Sequence, residues 1–141
     1  MKVVLFTVVT FLTTLALLGG CKRKKSRINM DHISGAEIKI MSLKPRKVTK
    51  KVKIEKSNTR DISALRTLLS STKSPLYKCG YSGEVKIFFK VKTKQPFSLS
   101  YSLRKGCMHG VYTHKNKLHS YKLSSAGIAF LKKLHAKYEP K

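Results

Sequence analysis

Three observations predict an α+β domain, a small antiparallel sheet of about five to six strands with two helices on one face and one disulfide. Residues 84–93 and 97–103 alternate apolar and polar side chains with a period of two. Two stretches, around Ile62–Leu69 and Ile128–Tyr138, repeat apolar residues at helical spacing. Two cysteines, Cys79 and Cys107, remain to pair once a third is assigned to another role. Strands that alternate in this way bury one face and wet the other, as antiparallel sheets do.

In chain order, Ile38 and Ile40 alternate with Glu37 and Lys39, so 36–43 reads as a first strand, turned by Lys44 and Pro45. Val48, Val52 and Ile54 then form the inner face of a second strand, with Lys47, Lys51 and Lys53 outside. Lys50 falls on the inner register, which marks an edge strand. Ser57, Asn58 and Thr59 offer helix caps, and Asp61 suits the first turn of a helix. That helix carries Ile62, Leu65, Leu68 and Leu69 over residues 60–71 and stops before Pro75. In the next strand Val85, Ile87, Phe89 and Val91 face one way, and Lys86, Lys90 and Lys92 the other. Phe97, Leu99, Tyr101 and Leu103 oppose Ser98, Ser100 and Ser102 in the strand that follows. A turn from Gly106 to Gly110 carries Cys107, and a hairpin folds back at Lys115, Asn116 and Lys117 into Leu118–Leu123. Ser124 or Ser125 caps a last helix whose stripe is Ile128, Leu131, Leu134 and Tyr138.

The N-terminal stretch has a separate purpose. Residues 3–18 are apolar apart from threonines, follow the single charge of Lys2, and end in Leu18-Gly19-Gly20-Cys21. A charged start, a short apolar core and a small-residue cut site describe a signal peptide. The run falls short of the roughly 20 apolar residues of a membrane span. The four residues Leu18–Cys21 resemble the lipobox of bacterial lipoproteins, which implies cleavage before Cys21 and acylation of that cysteine. The expected division is then a signal peptide at 1–20, a lipidated basic tether at 21–31 and one domain at 32–141. Lys22, Arg23, Lys24, Lys25 and Arg27 add electrostatic attraction to an anionic leaflet beside the acyl chains. The resemblance also implies an exported, membrane-attached location, and the outer membrane in a two-membrane cell, since Lys22 is not the aspartate that retains such proteins inside. Export places Cys79 and Cys107 in an oxidising compartment, where a disulfide is the default.

Removing the first 20 of 141 residues leaves 121, enough for one domain with one modest core. The formal charge is +25, and +24 without Lys2. Of the 31 basic residues 25 are lysine, which acts as a point charge where arginine would read phosphate in a planar fork. This balance fits loose attraction to an anionic surface, although a genome rich in A and T would raise lysine content too. The candidate anion-binding face is Lys51, Lys53, Lys86, Lys90 and Lys92, on the wet side of two strands.

Catalytic constellations are scarce. The acidic residues are Asp31, Glu37, Glu55, Asp61, Glu84 and Glu139, and none lies between Glu84 and Glu139. His109, His114 and His119, near Cys107, suggest a metal cluster, but no carboxylate supports them, so neither a metal nor a cofactor is expected. Pairing Cys107 with His109 as nucleophile and base would require a free thiol. No phosphate loop or serine elbow occurs. The chain therefore reads as a non-enzymatic binding or structural module of the cell envelope, its partner an anionic lipid, lipopolysaccharide or wall polymer. Nucleic acid fits less well, since Phe88 alone stands out as an aromatic among the outward lysines. The alternative is an inhibitor or receptor-blocking lipoprotein that binds another protein. Tyr77, Cys79, Gly80, Gly83 and Val85 are similar to the start of the lipoprotein lysozyme inhibitors, which implies an all-β barrel with a disulfide. The two helices depart from that barrel, and the positive charge would repel a basic lysozyme.

Overall fold

The sheet has seven antiparallel strands, one more than the alternation predicts, and two helices share one of its faces. A computed structural model describes residues 30–43, 46–76, 79–90 and 95–138. The expected signal peptide, nearly all of the tether, and Val91 and Lys92 lie outside the described residues. The elements are β1 (Ile33–Leu43), β2 (Arg46–Glu55), α1 (Thr59–Arg66), β3 (Leu69–Lys73), β4 (Gly83–Phe89), β5 (Phe97–Ser102), β6 (His109–His114), β7 (Lys117–Leu123) and α2 (Ser125–Tyr138). Their order across the sheet is β2-β1-β4-β5-β6-β7-β3.

The inner face is apolar by alternation. Ala36, Ile38 and Ile40 of β1 stand opposite Ile87, Val85 and Gly83 of β4, which in turn face Phe97, Leu99 and Tyr101 of β5. Ile62 and Leu65 of α1 and Phe130 and Leu131 of α2 are buried in the same core. Asn58 caps α1 reciprocally: its Oδ1 accepts from the Asp61 backbone N–H at 3.1 Å, and its Nδ2 donates to the Asp61 carboxylate at 2.6 Å. Ser124 caps α2, accepting from the Gly127 N–H at 2.9 Å. Gly127 lets α2 settle on the chain after α1, because a Cβ there would stand 2.5 Å from the Leu68 carbonyl oxygen.

The first departure from expectation is β3. The helical stripe Ile62, Leu65, Leu68, Leu69 predicts one helix through 71, but α1 ends at Arg66. Thr67 Oγ1 bonds back to the carbonyls of Ser63 and Ala64, as hydroxyl residues do near helix ends. Leu69 then pairs with Leu123 of β7, and the Ser-Ser-Thr that follows continues extended along that edge. The second departure is a bulge at Thr49. Ile40 pairs with Lys50 while Met41 pairs with Val48, so the alternation reverses there. Val48 is consequently 43% exposed instead of lining the core, and Lys47 leaves the register of Lys51 and Lys53.

The remaining connections wrap the sheet. The β2–α1–β3 path crosses from one edge strand to the other over the inner face. The chain must then return from the β3 edge to β4, next to β1, and residues 74–76 and 79–82 are fastened to the outer face. This strap is fixed at three places. Ser74 N–H donates to the Ser120 carbonyl and Ser120 Oγ to the Pro75 carbonyl. Cys79 is disulfide-bonded to Cys107. Ser82 exchanges bonds with Tyr101 and Leu103. Beneath it His109, Val111, Ser102 and Ser120 are buried although they belong to the outer face.

Candidate functional site

Part of the outer face is thus covered, and the β2-β1-β4 half presents the predicted lysines to solvent. Lys51 and Lys53 of β2 and Lys86 of β4 do point from one face, separated by β1. The strand between them changes what that face is. Along one cross-strand row the residues read Lys53, Glu37, Lys86; along the next they read Lys51, Lys39, Glu84. Lys39 Nζ and Glu84 Oε2 are 3.6 Å apart, each side chain 28% exposed. Glu55, alternating with Ile54, joins the same face. The expected crowd of bare ammonium groups is therefore a checkerboard that holds three of the chain's six carboxylates. Cross-strand pairs of opposite sign stabilise such a surface and lower its net field. Lys86 Nζ also lies 5.6 Å from the Phe88 ring centroid. Lys90 sits just beyond β4, its N–H bonded to the His32 carbonyl at 2.8 Å, and Lys92 is outside the described residues.

Among the described residues β5, β6, β7, α2 and their turns contain no carboxylate, yet they carry Arg104, Lys105, Lys115, Lys117, Lys122, Lys132, Lys133 and Lys137. All eight are exposed. At the end of α2, Lys137 Nζ and Lys50 Nζ lie 5.1 and 5.7 Å from the ring centroid of Tyr138. Cations there also suit the negative end of the helix dipole. A signal for these cations was present in the sequence as the long acid-free interval, but the fold decides where they lie: His135 of α2 meets Tyr101 of β5, and Lys137 and Tyr138 lie beside Lys50 of β2.

The histidines separate. His109 is fully buried under the strap, its Nδ1–H donating to the Cys107 carbonyl at 2.6 Å. His114 and His119 lie at the far end of the β6–β7 hairpin, ring centroids 6.3 Å apart. His119 stacks on Tyr112 at 5.3 Å, Tyr112 on Tyr121 at 6.1 Å, and Phe97 meets Tyr112 edge-on at 5.0 Å. Five residues separate His109 from His114, an odd interval that puts them on opposite faces of one strand. Among the described residues no three His, Cys, Asp or Glu side chains converge as metal ligands. With Cys107 oxidised, the thiol–imidazole pair has no nucleophile. Nor, among the described residues, is any helix long and apolar enough to cross a membrane.

No protein-family model, curated protein or solved structure matches the chain. The surface must be read from its own chemistry.

Proposed function

We propose that the chain is an acyl-anchored protein of the bacterial envelope, held at Cys21, whose non-enzymatic basic domain meets an anionic lipid or polymer on the exported side. The observation that carries this reading is the set of exposed cations on β5, β6, β7, α2 and their turns, which carry no carboxylate among the described residues. These eight exposed cations, on elements that carry no carboxylate of their own among the described residues, make a positive field that attracts external anions. Lys51, Lys53 and Lys86 contribute less, because Glu37, Glu55 and Glu84 share their face.

Among the described residues the core falls between Met30 and His135, so a chain of residues 22–141 includes all of it. Binding of that chain to polyphosphate and to phosphatidylglycerol vesicles should fall steeply with salt. Replacing Lys132, Lys133 and Lys137 with Gln should weaken it more than replacing Lys51, Lys53 and Lys86. Binding that persists in high salt would instead favour a packed protein interface and the inhibitor class. The anchor has its own check. In a bacterial host Cys21→Ser should abolish acylation and release the domain from detergent-extracted membranes, and retention with unchanged mass would refute the lipobox reading.

A further inference from the structure

Three large hydrophobic side chains are exposed among the described residues, Val48, Leu76 and Leu118, and two of them belong to one neighbourhood. Leu118 and Ser120 stand on the same face of β7 by alternation. Ser120 Oγ holds the carbonyl of Pro75 at 3.3 Å, and Leu76 follows Pro75 directly. Each leucine is 55% exposed. Lys115 and Lys117, at the adjoining β6–β7 turn, are exposed as well, Lys117 with the opposite parity to Leu118. The turn itself is tight and preformed, with Lys115 and Asn116 at φ 50° and 59°, as a two-residue hairpin connection requires.

The register shows which way this turn points relative to the tether. Ile33 pairs with Phe89, Ile87 with Phe97, Ser100 with Val111 and His114 with Lys117. The start of β1, the end of β4, the start of β5 and the β6–β7 turn therefore share one end of the sheet. The disulfide is near the other end, where β6 begins. Twelve residues separate Cys21 from Ile33, a reach of at most about 40 Å even fully extended. A domain tethered at Cys21 is thus attached by the end that carries the hairpin turn.

We propose that this end is a membrane-contacting surface, in which Leu118 and Leu76 enter an anionic bilayer while Lys115 and Lys117 of the adjoining turn meet its headgroups. The proposal rests on the reading of an anchored basic domain and specifies the partner as lipid bilayer. Apolar side chains next to a cationic turn fit a boundary that is hydrocarbon within and negative at its surface. A soluble polyanion offers the charge but nothing for the leucines.

The chain contains no tryptophan, so Leu118→Trp in residues 22–141 is a clean reporter. Its emission should shift to the blue on adding phosphatidylglycerol–phosphatidylcholine vesicles and remain unshifted with polyphosphate. Leu76→Ser with Leu118→Ser should weaken vesicle binding about tenfold and leave polyphosphate binding unchanged. Vesicle binding without the blue shift and without a loss in the double variant would overturn the proposal while preserving charge-driven attraction. A parent chain that binds neither vesicles nor polyphosphate would overturn both readings. Because both leucines are exposed, the melting temperature of the variants should match the parent and exclude misfolding as the cause.

Discussion

Tyr101, in the middle of the sheet, and His135, near the end of α2, share a buried hydrogen bond of 2.9 Å between the phenol oxygen and Nε2. Their rings meet edge-on with centroids 5.9 Å apart. Gly83 makes room for this contact, since a Cβ there would stand 2.4 Å from the Tyr101 hydroxyl. The pair therefore orients the long helix on the sheet as well as adding to the core. Tyr101→Phe keeps the ring and removes the bond, and should cost about 1 kcal/mol in urea unfolding. A double-mutant cycle with His135→Leu should return a coupling of at least about 0.5 kcal/mol. Additive losses would show that the two side chains act independently.

A second prediction separates close approach from backbone strain. In an ordinary helix Gly→Ala stabilises by up to about 1 kcal/mol. At Gly127 the added methyl would meet the Leu68 backbone oxygen at 2.5 Å, so Gly127→Ala should instead destabilise by about 1–3 kcal/mol. Gly106 has open space but a φ of 81°, and Gly106→Ala should cost about 1 kcal/mol through conformation alone. A Gly127→Ala variant as stable as the parent would show that α2 can shift away from Leu68.

The disulfide fastens the outer strap to the turn before β6. A non-reducing peptide map should join the peptides of Cys79 and Cys107, and alkylation of both without reductant would contradict the structure. The pair is 28 residues apart, a loop worth about 3.5 kcal/mol in the chain-entropy account. Cys79→Ser with Cys107→Ser should therefore lower stability by about 2–4 kcal/mol. Hydrogen exchange should rise first at Ser102, His109 and Val111, which lie beneath the strap.

Much of the sheet was legible because one face is buried and the other is wet. Ile38, Ile40, Val85, Ile87, Leu99 and Tyr101 all line the core as their alternation requires. The last helix was legible in its place but not in its face: Gly127, Phe130, Leu131 and His135 are buried, while Ile128, Leu134 and Tyr138 of the expected stripe are half-buried. By contrast β3 was hidden, since Leu65, Leu68 and Leu69 satisfy a helical period and only pairing with β7 makes Leu69 a strand residue. The bulge at Thr49 was equally hidden, and it moved Val48 out of the core. Leu118 could have been noticed, because it shares the parity of Ser120 and Lys122 on a polar face. Leu76 could not, because nothing local to Pro75 reveals its attachment to Ser120.

The sequence by itself determined the α+β class, the pairing of two spare cysteines, the two capped helices and the large excess of lysine. Each follows from local periodicity, capping chemistry or simple composition. Tertiary structure alone decided which lysines are compensated. Glu37 lies between Lys53 and Lys86 because β1 is inserted between β2 and β4, and no spacing along the chain encodes that neighbourhood. It likewise decided that Pro75 is fastened to Ser120 and Cys79 to Cys107, since β3 pairs at the far edge and the chain has to return to the centre. Local rules fix which way a side chain points; strand order fixes what it points beside.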